Sequence, residues 1–314
     1  MNKYKLPKPF VALAPMYDVT DTVFRQIIAS CSSPDLYFTE FVNVDGLQSK
    51  GRSMIDFRLR FSAAEQPLVA QIWGLEPENY HQTAAELVKM GFAGIDINFG
   101  CPEKSVVKNG CCIALANDRP LAAEIIQATR EGAGGKVPIS VKTRLGFNDI
   151  DLSWFEFLLQ QNLDMLAAHG RTRREMSKVP THWDEIGKIR ELRDQTGVKT
   201  LIIGNGDVLN RQQALELAAK YQLDGIMIGR GVFNDPFAFA EHSPWPDYSP
   251  KQRLSLYKKH VELFAQTWQN HERPTQTLNK FCKIYINGFE GAKELREQLM
   301  QATSSEELLA ALKN

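Results

Sequence analysis

The sequence predicts an α/β fold: a closed parallel (β/α)8 barrel, a TIM barrel, over residues 1–243, followed by a small helical bundle over 244–314. Three observations predict it. Short apolar, β-branched runs alternate with amphipathic segments from residue 11 to residue 228. No Gly-x-Gly-x-x-Gly follows the first run, which disfavours an open dinucleotide-binding sheet. The chemically unusual residues fall at one end of their runs, the C-terminal end, where a parallel barrel gathers its functional groups.

Taken in order, the strand candidates are Val11–Ala14, Asp35–Thr39, Leu68–Ile72, Ile95–Asn98, Ile139–Thr143, Met165–Ala168, Thr200–Ile203 and Gly225–Ile228. The helix candidates lie near 21–31, 78–90, 120–133, 151–162, 183–196 and 210–220. Asp21 and Asn210 are N-cap residues placed just before two of them, and Gly91 is a helix-end glycine closing another. Residues 40–66 are poorly patterned, and no helix can be assigned there. The fourth strand must stop before Pro102, which cannot donate to a ladder, so Cys101 sits on a turn just beyond the strand. The segment after it, with Lys104, Lys108 and Gly110, reads as a basic loop. Residues 243–250 hold three prolines and read as a stiff linker or domain boundary. Beyond them only helical periodicity remains. Leu254, Tyr257, Val261 and Phe264 mark one helix; Leu278, Phe281, Cys282 and Tyr285 mark a second; Leu295 with Leu299, and Leu308 with Leu312, suggest two more.

The chain of 314 residues is 43% hydrophobic, enough for one large domain and a small second one. Formal net charge is zero, which argues against affinity for nucleic acid across the whole surface but leaves room for a local basic face. Residues 251–314 carry ten Lys and Arg against seven Glu, a surplus of +3 that a polyanion-facing side would use. Five scattered cysteines with no Cys-x-x-Cys pair support neither a disulfide framework nor a zinc ribbon, and fit a reducing cytoplasm. Lys3 and Lys5 precede an apolar run too short for a signal peptide, and no stretch is long enough to span a membrane. Metal-ligand spacing is absent, and His81, His182, His242, His260 and His271 are assigned surface or core roles.

The strand ends carry the chemistry. Glycine-rich turns at Gly204-Asn205-Gly206-Asp207 and Gly229-Arg230-Gly231 let backbone N–H groups approach a phosphate, and Arg230 adds a charged donor. Lys142 and Arg144 stand two apart and share a face, as His169 and Arg171 do, so four cationic or protonatable groups would converge on the barrel mouth beside Cys101.

The chain resembles the tRNA-dihydrouridine synthases. The matching stretches are Ala14-Pro15-Met16 with Asp18, Thr20 and Asp21; Thr39-Glu40; Gln71; Asp96-x-Asn98-x-Gly100-Cys101-Pro102; Val141-Lys142-x-Arg144-x-Gly146; His169-Gly170-Arg171-Thr172; the two glycine turns; and a tail including Lys280, Tyr285 and Arg296. The resemblance implies an FMN flavoprotein, an oxidoreductase acting on a CH–CH bond, that uses NADPH to reduce uridines in tRNA. It implies that Cys101 is the catalytic acid. It implies cofactor contacts from Ala14, Pro15, Met16, Gln71, Lys142, His169, Asn205, Gly206, Asp207, Gly229 and Arg230. Asn98, Arg144 and Arg171 would bind the target nucleotide. Together with the cysteine usage, the tail's positive surplus and the lack of metal-ligand spacing, the expectation is a cytoplasmic monomer whose tail binds tRNA, without metal or membrane. The chain departs from the family pattern at Glu103 and at Cys111-Cys112-Ile113, where small residues are usual. Two other readings remain: a flavin barrel reducing a small molecule, as dihydroorotate dehydrogenases and ene-reductases do, and a non-catalytic tRNA-binding protein of the same fold.

Overall fold

A computed structural model describes residues 4, 6–269 and 272–312. Lys3, Lys5 and His271 lie outside the described residues. The barrel strands are β1 (Phe10–Leu13), β2 (Tyr37–Phe38), β3 (Leu68–Trp73), β4 (Gly94–Phe99), β5 (Ile139–Arg144), β6 (Met165–His169), β7 (Leu201–Asn205) and β8 (Gly225–Ile228). Each neighbouring pair is parallel. The ring closes at both ends of its path. β1 pairs with β8 from Phe10 and Gly225 to Leu13 and Ile228. On its other side Leu13 N–H donates to Leu36 O at 3.0 Å, and Asp35 N–H donates to Val11 O at 2.9 Å.

The alternation of strand side chains divides two cores. Phe10, Ala12, Phe38, Val69, Met165, Ala167, Ile203 and Met227 form a cluster of their own, the barrel interior. Val11, Leu13, Ile95, Ile97, Val141, Leu166, Ile202 and Ile226 belong to the larger cluster shared with the helices. Towards the strand C-termini the inward positions turn polar: Gln71, Asn98, Lys142, Arg144, His169 and Asn205. The apolar plug thus lies beneath a polar layer.

The crossover helices are α1 (Thr22–Cys31), α2 (Pro77–Met90), α3 (Arg119–Ala133), α4 (Leu152–Leu159), α5 (Trp183–Thr196) and α6 (Arg211–Tyr221). The caps form as expected: Asp21 accepts from Phe24 N–H at 2.8 Å, Asn210 accepts from Gln213 N–H at 2.9 Å, and Gly91 takes φ 88°. The unpatterned stretch 40–66 replaces a crossover helix with a two-residue strand, Val42–Asn43, a one-turn helix, Val44–Leu47, and three 3₁₀ turns. β2 ends earlier than expected because the Thr39 hydroxyl, in place of a ladder carbonyl, accepts from Gln71 N–H at 2.9 Å.

Residues 244–269 and 272–312 pack against the barrel rather than hanging from a linker. Trp245, within the proline stretch, is buried against Tyr248 and Tyr285. The helix α7 (Pro250–Thr267) lies beside α1, and Phe24 of α1 stacks on Phe281 with ring centroids 4.8 Å apart. The helix expected around 278–285 is a 3₁₀ turn, Thr275–Phe281, followed by one α turn, Cys282–Tyr285. Two further helices, α8 (Ala292–Leu299) and α9 (Ser305–Ala311), complete the segment. Arg273 reaches from this segment into the barrel's acidic residues, pairing with Glu40, Asp21 and Asp18. Among the described residues no helix is long and apolar enough to cross a membrane.

Candidate active site

The polar layer lines a cavity of about 480 Å³ at the C-terminal end of the barrel, within the range of small-molecule and cofactor sites. Ala14, Pro15, Met16, Gln71, Asn98, Cys101, Lys142, Arg144, His169, Asn205, Gly206, Asp207, Gly229 and Arg230 all line it. These are the predicted site residues with one exception.

The exception is Arg171. It is 2% exposed and does not line the cavity. β6 ends at His169, and Arg171 N–H closes a tight turn on His169 O at 2.7 Å, so strand alternation no longer governs where Arg171 points. Its Nε donates to Val179 O at 2.6 Å and its amino groups clasp the Asp207 carboxylate. The expected convergence of four groups on the mouth therefore reduces to three, and Arg171 reaches the cavity only through Asp207.

On one side of the cavity β3, β4 and β5 build a buried polar ladder. Ser140 Oγ donates to Asp96 Oδ1 at 2.5 Å; Gln71 Nε2 donates to Asp96 Oδ2 at 2.6 Å; Asn98 Nδ2 donates to Gln71 Oε1 at 3.1 Å. Asn98 Oδ1 then accepts from Gly100 N–H at 2.9 Å and Cys101 N–H at 3.0 Å. The ladder fixes the loop that carries Cys101. Burial pushes the Asp96 carboxyl up to about 6 despite bonds from Ser140 and Gln71. Asp96 and Ser140 were not singled out from sequence as site residues; Asp96 stands two before Asn98 on the same strand face, which is the signal that finds it.

Cys101 lies two residues past β4, as the Pro102 argument requires. The following segment is a one-turn helix, Lys104–Lys108, and not a loop, because Glu103 caps it by accepting from Lys104 N–H at 3.0 Å. A hydrogen bond from Cys112 is the largest influence on the Cys101 thiol. It outweighs burial and, with help from a Glu103 backbone bond and from Arg144, brings the thiol down to about 7. Cys112 itself is buried and takes a left-handed φ of 56°, where a side chain is strained.

Lys142 is opposite Asn98 in the β4–β5 register. Burial and the neighbouring Arg144 lower its ammonium to about 8. Arg144 Nε donates to Gly100 O at 3.0 Å, and its Nη1 donates to Thr172 O at 3.2 Å and Met176 O at 2.9 Å. Burial lowers it to about 10, which leaves it charged at neutral pH. Burial and four surrounding cations hold His169 neutral, and its Nδ1 is buried without a partner.

The far side is the pair of glycine turns. Asn205 Nδ2 is fixed on Met227 O at 3.0 Å. Gly206 takes φ 138°, and a Cβ there would lie 2.6 Å from Thr181. A Cβ on Gly231 would lie 2.6 Å from the carbonyl oxygens of Val208 and Leu209. The two turns are therefore packed too closely for side chains, and their backbone faces the cavity. Asp207 binds Arg230 at 2.6 Å as well as Arg171, and Arg171 first holds its carboxyl below the usual range. Backbone turns, one exposed arginine and an orphaned imidazole nitrogen form a fitting cradle for a phosphate-bearing, ring-containing cofactor. Among the described residues no group of three or more His, Cys, Asp and Glu is placed to hold a metal ion.

Solved structures with the same architecture include morphinone reductase (TM-score 0.54, 13% identity, 76% of this chain and 86% of that one). An old yellow enzyme homologue from Zymomonas mobilis matches similarly (TM-score 0.52, 13% identity, 75% and 90%). At that identity they show the fold alone. Sequence relatives are far nearer. The chain is 47% identical over 311 residues to a probable tRNA-dihydrouridine synthase of Staphylococcus aureus (strain COL), covering 98% of this chain and 93% of the relative. It is 45% identical over 311 residues to probable tRNA-dihydrouridine synthase 2 of Bacillus subtilis (strain 168), covering 98% and 94%. The family model for dihydrouridine synthase matches residues 12–314, and the chain belongs to the dihydrouridine synthase family.

Proposed function

We propose that this chain is a tRNA-dihydrouridine synthase that carries FMN in the barrel cavity, takes electrons from NADPH, and reduces the 5,6 double bond of specific uridines in tRNA. The observation that carries the reading is Cys101: a thiol held at the rim of a flavin-sized cavity, opposite a glycine-rich phosphate grip, in a chain of this family.

A bound, reduced flavin would be the source of the hydride that uracil C6 receives. The former π pair of the C5–C6 bond then needs one proton at C5, and Cys101 holds it as a thiol. Lys142 and Arg144 stabilise the negative charge that grows on the uracil ring before that proton arrives. Asn98 spends one amide N–H on Gln71, keeping the other for the base. Ala14, Pro15, Met16 and Gln71 would hold the flavin ring, and the neutral His169 has an unpartnered Nδ1 that would be available to the cofactor. Asn205, Gly206, Asp207, Gly229 and Arg230 take the phosphate end. Arg171 acts one step removed, by fixing Asp207.

A stacked uracil cannot enter the cavity, so the nucleotide is extruded at a cost of a few kcal/mol. Residues 244–314, with their positive surplus, serve as the tRNA-binding part, 1–243 as the catalytic part. All five cysteines are unpaired, which supports a reducing cytoplasm as the working compartment. The protein acts as a monomer, to be checked by its mass in solution.

The test is direct. Purified protein supplied with FMN and NADPH should convert uridine to dihydrouridine in tRNA from cells lacking it, at positions absent from the untreated RNA. Reduction of free uridine or orotate in preference to tRNA would overturn the reading in favour of a small-molecule reductase. Absence of bound flavin would favour a binding protein.

A further inference from the structure

We propose that Tyr17 is a stacking platform at the cavity rim for a nucleobase of the RNA strand that enters the site, most directly the base next to the extruded uridine. The inference rests on the tRNA-dihydrouridine synthase reading and adds a contact that the family's sequence pattern does not assign.

Tyr17 follows Met16, which lines the cavity, and it is 49% exposed. Among the described residues it is the aromatic side chain that stands out in the open; the other large exposed hydrophobics are Met, Ile or Leu. An aromatic ring left in solvent is ordinarily free to move, yet this one is braced. The Arg58 guanidinium lies 4.1 Å from the ring centroid, and Arg58 Nη2 donates to the Tyr17 hydroxyl at 3.0 Å. Phe41, a cavity-lining residue, sits 5.2 Å from it at 35°. The brace is itself anchored. Arg58 pairs with buried Glu40 and with Asp18. Asp18 takes a left-handed φ of 55°, with its N–H tied to Glu40 at 2.6 Å.

Strain, a buried ion pair and a cation under the ring are thus committed to holding an exposed aromatic surface at the edge of the site. Solvent exposure gains nothing from that arrangement; a flat ligand does. Every nucleobase has a π-face, and stacking on a fixed aromatic ring is how extended strands are held regardless of sequence. The rim also supplies a charge for the backbone of the same nucleotide. Lys280, exposed and from the C-terminal segment, donates to Asp18 O at 2.9 Å, one residue from the ring.

The test uses the full-length, flavin-loaded protein with Tyr17→Ala, Tyr17→Phe and Tyr17→Trp, and tRNA from cells lacking the enzyme. Tyr17→Ala is expected to weaken tRNA binding by about 5- to 100-fold, the range of one lost base stack. It should lower kcat/KM in step, and it should leave the thermal midpoint and the RNA-free reduction of flavin by NADPH as in wild type. Tyr17→Phe and Tyr17→Trp should bind within a few-fold of wild type, since both keep a ring. If Tyr17→Ala binds tRNA as tightly as wild type, the platform does not exist. If Tyr17→Phe loses as much as Tyr17→Ala, the hydroxyl bond to Arg58 is what matters and the role is structural. A wild-type protein that neither binds nor reduces tRNA would overturn the parent reading itself, an outcome separate from either of these.

Discussion

Replacing Cys112 by Ala should move the alkaline limb of tRNA reduction to higher pH. Cys101 must carry its proton to serve as the acid, so the rate falls as pH rises through its pKa. With the thiol near 7, half is protonated at pH 7 and about a tenth at pH 8, so kcat/KM for tRNA should fall about fivefold over that unit. A thiol at its ordinary value of about 8.5 would lose only about 1.3-fold over the same interval. The difference is set first by the hydrogen bond from Cys112. Removing that sulfur leaves burial, which raises the thiol, as the largest influence over the remaining Glu103 backbone bond and Arg144, so the part of the profile due to Cys101 should be nearly flat from pH 7 to 8. Ala keeps a Cβ at the same left-handed φ of 56°, so backbone strain is alike in both proteins. The other groups that face the pair are Glu103, Arg144, Lys142, Cys111 and Tyr80. Lys142 titrates near 8 and would bend the same limb. The assay therefore pairs single-turnover tRNA reduction with the pH profile of Cys101 alkylation, both in a Cys111→Ser background, with flavin reduction by NADPH recorded separately. Two profiles with the same alkylation pKa would refute the role given to Cys112.

Three further outcomes are expected. Arg230→Ala should weaken flavin retention about tenfold, the effect of one charge-assisted bond, with little change in melting because the side chain is largely exposed; spectra after dialysis measure it. Arg273→Met should destabilise the fold by about 3 kcal/mol, because buried Asp21 loses its ion-pair partner and buried Glu40 keeps only Arg58 of its two. Burial already raises the Glu40 carboxyl, and with Arg58 as its remaining cation the acid can relieve itself by taking a proton that the unfolded chain does not hold. The loss in thermal midpoint should therefore be smaller at pH 5 than at pH 8. His260 is driven by burial down to about 3, against about 6.5 unfolded, so its contribution is complete above 6.5 and is lost as pH falls towards 3. From pH 8 to pH 5 that is about 2 kcal/mol, and His260→Phe should flatten this acid limb of the melting curve at a pH-independent cost from the lost Tyr285 contact.

The barrel was legible because its signals are local. β-branched runs, the Asp21 and Asn210 caps and Gly91 each specify their element without reference to distant residues. Most of the cavity followed, since a parallel barrel sends every strand end to one face, and position along a strand then predicts position in the site. What escaped detection depended on contacts between segments far apart in the chain. Arg171 is held away from the cavity by its clasp on Asp207, 36 residues on. Residues 40–66 carry no period because their structure is held by ion pairs with Asp18 and with Arg273, on loops outside the segment. The proline stretch near 245 reads as a spacer, yet Trp245 finds a buried place against Tyr285, forty residues on. Cys112 looks like a departure from pattern in sequence, and only its contact with Cys101 gives it meaning.

Arg144 spends three of its five N–H groups on main-chain carbonyls of Gly100, Thr172 and Met176. It is a strut between the loop that bears Cys101 and the loop that follows β6, and only its second amino group is left for a ligand. The two loops therefore share one fastening. A lysine could replace the charge but not the fork, and it would release both loops together. Damage at Arg144 should consequently masquerade as damage to the cysteine and to the nucleotide grip at once, and a Cys101–Arg144 double variant should lose far less than the two single losses combined.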